Sequence, residues 1–423
     1  MSTIYPTQLN TQSMGRLFVH TTSLLGARPI AGARITISYT GVPGGTIETA
    51  ITNNIGQITP IELPAPPIDY SMEPSANQPY AQYDLTIRAP GYEPVQITGV
   101  QVLPDVEAIQ NVTLFPVENA MGEGNTAEAY VIPPNTLFGD FPPKIAENEV
   151  KDVSETGEIV LSRVVIPEFV VVHDGPPRDT SAPNYYVRYR DYIKNVASSE
   201  IYATWPTSTI YANILAIQSF TLNRVYTEWY RNRGYNFTIT ASTAYDHKWV
   251  PNRNIFDTIS QAVDDIFANY LSRPDVLQPI LTQYCDGKQV TCPGWMTQWG
   301  SKYLGDQGRS AIEILRYFYG DDMYINTSEE ISGVPSSWPG QDLTIGSRSD
   351  KVRQLQNQLN VIANGYPLIP RVSTDGIYGP QTAEAVQAFQ GIFGLPETGV
   401  VDFPTWYRIS EIYVAVSRIA ELA

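Results

Sequence analysis

Two different hydrophobic repeats occupy this sequence, and an acidic, proline-broken stretch lies between them. Residues 16–115 alternate with a period of two, in RLFVHTT, ARITISYT, YDLTIRA and NVTLFP, separated by Gly, Pro and Asn turns. From Tyr189 onward the apolar residues recur at helical spacing instead. One core does not serve both patterns over 423 residues, so two to four domains are expected. The first is read as a small all-β domain. Between the two, residues 116–150 set six acids (Glu118, Glu123, Glu128, Asp140, Glu147, Glu149) against the single Lys144, and Pro133-Pro134 and Pro142-Pro143 interrupt regular structure. This stretch is expected to be a linker without a core, either a passive tether or a site open to proteases.

The central part, residues 160 to about 335, reads as mixed α/β. Ile159–Val172 is strand-like, and Tyr189–Ser199 suits a helix. A long helix is expected from a cap at Thr207 or Ser208 to about Asn232, ended by Gly234, with Ile210, Ile214, Ile217, Thr221 and Val225 on its core stripe. Asp257 is expected to cap another helix, with Ile259, Val263, Ile266 and Tyr270 inward, and Ser310 to open a last one through Ile312, Leu315 and Tyr319. Residues 343–410 read as a compact helical module built on Val352, Leu355, Leu359 and Ile362 and on Ala383–Phe389, with a terminal helix over Ile409–Ala423.

Charge narrows the partners. With 43 acidic and 27 basic residues the net charge is −16, which repels nucleic acid and suits a neutral or weakly charged polymer. The 27 Tyr, 7 Trp and 13 Phe serve either core packing or carbohydrate stacking. Met1–Gly15 shows no secretory signal, and no stretch has the apolar length of a membrane span, so no membrane partner is expected. Cys285 and Cys292 either close a small disulfide loop or stay free. The three histidines, His20, His173 and His247, have no zinc-site spacing, and neither metal nor cofactor is expected.

Three resemblances add function. Arg28-Pro29-Ile30-Ala31-Gly32-Ala33, Thr52-Asn53-Asn54-Ile55-Gly56 and Ala89-Pro90-Gly91-Tyr92 resemble the transthyretin-like β-sandwich, which implies no catalytic residue. Asp375-Gly376-Ile377-Tyr378-Gly379-Pro380-Gln381-Thr382, Ala385-Val386-Gln387-Ala388-Phe389-Gln390 and Thr405-Trp406 resemble the three-helix peptidoglycan-binding domains. That likeness implies wall binding through Asp375, Tyr378, Gln381 and Trp406, although the aromatic positions also suit packing. Tyr192–Glu200 followed by Trp205-Pro206, with Met296-Thr297-Gln298-Trp299-Gly300-Ser301 and Ile312–Gly320, resembles the stage II sporulation protein D family of lytic transglycosylases. The family's acid falls on Glu200. Its basic residues after Trp-Pro are replaced by Tyr211 and Gln218, and its Cys/His cluster is not reproduced.

The expected architecture is therefore multidomain α+β: a β-sandwich pro-domain at 1–115, a linker with an activation cleavage at 116–150, a catalytic domain at 151–340 and a wall-binding domain at 341–423. This order resembles the clostridial spore cortex-lytic enzymes of the SleC kind. That resemblance implies a zymogen stored in the spore, activated in germination by a subtilisin-like protease, and acting on cortex peptidoglycan.

A glycosidic bond needs a proton on its leaving oxygen, which a carboxyl held neutral by apolar neighbours such as Ile201, Tyr202 and Trp205 can give. A hydrolase of the usual kind needs a second carboxylate. A lytic transglycosylase instead uses the muramic C6 hydroxyl and returns the proton to the same acid. Asp191, Glu228, Asp246 and Asp257 are candidates for a second acid, but none sits in a motif. Trp205, Tyr211, Gln218, Gln298 and Tyr303 are candidate substrate contacts, with packing behind the acid the alternative for Trp205. Tyr284, Tyr303 and Tyr319 are candidate groove residues, Tyr319 also lying on a core stripe. His247 is expected to make a structural hydrogen bond and His173 to lie in a turn. The competing readings are an N-acetylmuramidase and a non-catalytic scaffold that binds cortex.

Overall fold

The structure, a computed structural model, describes residues 13–23, 28–42, 44–117, 128–139, 141–151, 161–332 and 338–417. The alternating N-terminal segments form two packed sheets. In one, β1 (Ser13–Ser23) lies between β4 (Ile61–Ala65) and β7 (Glu107–Thr113). In the other, β3 (Thr46–Ile51), β2 (Arg34–Tyr39), β5 (Ala81–Arg88), β6 (Val95–Val102) and β8 (Glu128–Val131) follow in that order. Leu17 and Val19, Ile35 and Ile37, and Tyr83, Leu85 and Ile87 alternate inward and are fully buried. Each such side chain contributes roughly 1.5–3 kcal/mol of transfer free energy. A four-residue helix, α1 (Asp69–Met72), leads from β4 towards β5.

The central part packs around α3 (Thr207–Tyr226), which is buried on nearly every side. Its polar residues are paired accordingly: Asn213 donates to the Thr209 carbonyl and the Ser301 hydroxyl, and Asn223 to the Pro279 carbonyl. Against it lie α2 (Tyr189–Glu200), α4 (Asp257–Ile266), α5 (Gln298–Asp306) and α6 (Ala311–Tyr319). A three-stranded sheet contains β9 (Phe169–His173) and β10 (Asn184–Arg188). Ser310 caps α6 in a reciprocal capping box with Glu313.

Several expectations need correction. The long helix stops at Tyr226, because Glu228 takes a positive φ of 46° and the Thr227 hydroxyl turns back to the Asn223 carbonyl. Gly234, φ 82°, ends a separate short turn. Its N-cap is Pro206, without a side-chain cap, and Asp257 is the first residue of α4 rather than its cap. Tyr270 belongs to strand Asn269–Ser272, and His173 to the end of β9, where its ring bonds Asn184 and the Pro176 carbonyl. Of the two readings left open for Cys285 and Cys292, the structure shows the disulfide.

The C-terminal part holds α7 (Asp350–Ile362), α8 (Pro380–Phe393) and α9 (Phe403–Ser417). The expected terminal helix from Ile409 is the second half of α9, which starts earlier at Phe403. Two glutamines repeat one arrangement. Gln356 donates to Asp375, the Ile377 carbonyl and Thr382 and accepts from Gly376 N–H. Gln390 donates to Thr398, the Val400 carbonyl and Thr405 and accepts from Gly399 N–H. Each buried amide pins a glycine turn to a helix.

The parts are joined closely. Ile255–Phe256 pairs with Ile109–Ala108 of β7, so a central strand extends a sandwich sheet. Arg188 and Arg190 meet Glu411 of α9. The expected linker, whose residues 118–127 and 140 lie outside the described residues, is in its described part the largest correction. Glu128–Val131 is β8 of the sandwich, and residues 135–139 and 141–151 run across the central part, held by bonds to it. Proline and acid made it irregular without freeing it: several of its backbone groups are satisfied by side chains of the surface below, and two by the backbone of Ala244 and Leu281.

Candidate functional site

Glu200 is the last residue of α2, a helix in which Arg190 and Tyr192–Glu200 are all buried. Its carbonyl, one of the orphans of a helix C-terminus, accepts from Gln298 Nε2 at 2.8 Å. Gln298 opens α5, so the second sequence block holds the end of the first. The carboxylate is gripped from two sides: Oε1 accepts from the Lys248 backbone N–H at 2.5 Å, and Oε2 from the Tyr284 hydroxyl. It faces a cavity of about 60 Å³ lined also by Leu137, Phe141, Lys144, Tyr284, Asp286 and Gln298.

Burial pushes the Glu200 carboxyl above its ordinary range, opposed by Lys144, the Tyr284 hydrogen bond and Lys248. Lys144 is half-buried as a residue, but its ammonium points inward. It donates to the Asp246 carbonyl at 2.7 Å and lies 4.4 Å from the centre of the Tyr284 ring. Burial pulls that ammonium below its ordinary range, with Glu200 acting against the loss. Burial holds His247 well below the usual imidazole range, with Lys144 and Arg224 acting the same way, so it is neutral. Its Nδ1 lies 2.9 Å from the Tyr192 hydroxyl, the structural bond expected of it. The arrangement is a neutralisable carboxyl on an apolar and aromatic wall, suited to giving and retrieving one proton.

The other candidates divide. Gln298 reaches the cleft and orders Glu200. Trp205 stands behind it: it is buried, packs on Tyr202 and Trp299, and gives its Nε1–H to the Ser71 carbonyl at 2.8 Å, sealing the joint with the sandwich. Tyr211 is bonded to Asp265 at 2.5 Å, and Gln218 is buried against the Ile266 carbonyl, both on faces of α3 turned to α4. Neither lines the cavity, because both are spent on α4 instead. Tyr303 is 64% exposed on α5 and also lies outside it, and Tyr319 is core, bonded to the Gln283 carbonyl.

Of the second-acid candidates, Asp246 is taken up by Arg224, Tyr230 and Thr240, and Asp257 by backbone N–H groups including that of Glu107. Asp191 and Glu228 do not line the cavity. Asp286 does, a position the sequence reading missed, but its oxygens accept from the backbone N–H groups of Lys288, Gln289 and Val290. Lys144 was missed too, and its one signal was being the single cation in an acidic run.

In the C-terminal module, Tyr378 and Trp406 are buried, and Tyr378 bonds the Gly399 carbonyl, so these two hold helices rather than face outward. Asp375 and Gln381 are exposed, Asp375 also accepting from Ile377 N–H and Gln356. Among the described residues no cluster of His, Cys, Asp and Glu is fit to hold a metal, and no helix is long and apolar enough to cross a membrane.

Residues 348–409 match the family of peptidoglycan-binding domains. No curated protein matches the chain. Among solved structures, catechol 1,2-dioxygenase from Acinetobacter sp. ADP1 is similar at 11% identity and a TM-score of 0.19, over 29% of this chain and 60% of the dioxygenase. The chain thus spans less than two thirds of that enzyme's length. Klebsiella pneumoniae 5-hydroxyisourate hydrolase is similar at 17% identity and a TM-score of 0.15, over 24% of this chain and 99% of the hydrolase. Likenesses this slight carry no argument about activity.

Proposed function

Given a peptidoglycan-binding domain over 348–409, which points to association with the cell wall, we propose that the chain cleaves the glycan strands of peptidoglycan as a lytic transglycosylase, with Glu200 as acid and base. The observation that carries this reading is a buried carboxyl, pushed up by burial, facing a cavity in which the other lining carboxylate among the described residues, Asp286, is spent on backbone N–H groups. In its neutral form Glu200 protonates the leaving glycosidic oxygen of a MurNAc-GlcNAc bond. The muramic C6 hydroxyl attacks the anomeric carbon, and its proton returns to the Glu200 carboxylate, leaving a 1,6-anhydro end. No second carboxylate is needed, which favours this reaction over hydrolysis by an N-acetylmuramidase. The motif around Glu200 and Gln298 supports the same assignment. The order of the segments, which resembles the spore cortex-lytic enzymes, makes cortex peptidoglycan the proposed substrate, the spore the proposed location and a subtilisin-like protease the proposed activator.

The test uses decoated spore cortex and protein trimmed near residue 150. The trimmed protein is expected to release glycan fragments, and Glu200→Gln to bind cortex without releasing them. Undiminished release by Glu200→Gln would refute the assignment.

A further inference from the structure

Residues 135–139 and 141–151 lie on the central part in an unusual way. They form no helix or strand, yet the surface beneath binds their backbone, mostly with side chains and at Ile145 N–H and the Glu149 carbonyl with the backbone of Ala244 and Leu281, much as it would bind an extended ligand. Tyr202 accepts from Leu137 N–H through its hydroxyl at 2.8 Å, and Trp299 Nε1–H donates to the Leu137 carbonyl at 2.8 Å. Gln283 accepts from Glu147 N–H at 2.9 Å and donates to the Ile145 carbonyl at 2.6 Å. Gln278 accepts from Lys151 N–H at 2.6 Å. Aromatic rings with polar edges, together with planar amides, are the groups that bind sugars by stacking and paired hydrogen bonds. Over Glu200 this segment leaves a cavity of about 60 Å³, whereas sites that hold small molecules measure roughly 300–1,000 Å³.

We propose that the groove filled by residues 135–139 and 141–151 is the saccharide channel of the Glu200 site, that its ligand is an aminosugar chain of the peptidoglycan type, and that this segment is a removable occupant acting as an inhibitor. The proposal rests on the glycan-cleaving reading and deepens it. Lys144 blocks twice. Its side chain covers the Tyr284 ring, and its charge favours the ionised form of Glu200, which has no proton to give. The other groups that bond the carboxylate (Tyr284 and the Lys248 backbone) stay when the segment leaves, and Arg224 keeps Asp246 as partner.

The segment's outer anchor is an ion pair between Glu149 and Arg273, and its inner one pairs Glu147 with Arg224, while Lys151 braces Glu147 from within the segment. The experiment compares the full chain with its Glu147→Ala/Glu149→Ala form, each also as Glu200→Gln, using soluble peptidoglycan glycan strands freed of stem peptides. The readout is amide hydrogen exchange of residues 135–151, which is local and blind to binding at the C-terminal module. Glycan is expected to speed that exchange in the Glu200→Gln forms, at a concentration at least about tenfold lower in the loosened one. With Glu200 intact, loosening is expected to raise fragment release by at least about tenfold. Exchange that does not respond to glycan in either form overturns the proposal. So does a full chain that cleaves as fast as the loosened one, although the glycan-cleaving reading then survives. Displacement of the segment without any cleavage leaves the channel standing and refutes that reading. Should the double variant fail to fold, Arg273→Gln removes the outer anchor from its half-buried side and yields the same two readouts.

Discussion

The Glu200 cleft and the C-terminal module satisfy their buried polar groups in opposite ways. In the module, Gln356 and Gln390 find every partner within the turn and helix next to them. In the cleft, Tyr202, Trp299, Gln278 and Gln283 bond a segment that arrives from outside the central part. Groups saturated by their own fold hold it together, whereas groups saturated by a visiting segment are available to something else. The same contrast separates the motif residues: Tyr378 and Trp406 are packing, and Glu200 is the proposed acid.

The strongest way to break this comparison is to remove the chemistry alone. In trimmed protein, Glu200→Gln is expected to lower the rate of glycan release by about 10²–10⁴-fold, with binding to insoluble peptidoglycan unchanged in a pull-down. Equal loss of binding would mean that cleft and module are not separable.

Acid sharpens the comparison next. Burial acts to raise the Glu147 carboxyl, but Arg224 and Lys151 bring it down to about 2 from its usual 4.5. A lowered carboxyl contributes stability in full above its unpaired value and loses it as pH falls through the bound one. Because Lys151 moves with Glu147, only the Arg224 share belongs to closure: the segment is expected to stay closed above pH 4.5 and to lose at most about 3 kcal/mol of closure on the way down to about 2. Amide exchange of residues 141–151 across that window checks it, and the module's α7 and α8 amides should not follow.

On the module's side, Gln390→Ala removes a buried amide with four partners and strands Gly399 N–H. A loss of about 2–3 kcal/mol in module stability is expected, read by thermal melting, with cleavage of soluble glycan by trimmed protein retained. The smallest effect is Tyr284→Phe in trimmed protein. The hydroxyl bonds the Glu200 carboxylate and holds its pKa down, so losing it raises that pKa further. The alkaline limb of the pH–rate profile is expected to move up by roughly one pH unit. A downward move would mean that the hydroxyl does not bond the carboxylate.

The sequence made much of this legible where the pattern is local. Alternation placed the sandwich strands, and helical stripes placed α4 and α6, because one buried face fixes the period of each. The Glu200 and Gln298 blocks, about a hundred residues apart, meet at one hydrogen bond. What stayed hidden was long-range. Nothing in Pro133–Glu149 announces that its backbone is paid for by Tyr202, Trp299 and Gln283, so the stretch reads as a tether. Tyr211 and Gln218 occupy motif-adjacent positions but point to α4, since the burial of α3 on all sides cannot be inferred from its one apolar stripe. His173 reads as a turn residue because its strand partners, Asn184 and Thr240, lie elsewhere in the chain.

The central claim is that one carboxyl both gives and takes the proton. Mass spectrometry of the fragments released from cortex by trimmed protein tests it most directly. The account predicts 1,6-anhydromuramic ends with Glu200 present and no fragments from Glu200→Gln. Reducing muramic ends, carrying oxygen from labelled water, would contradict it.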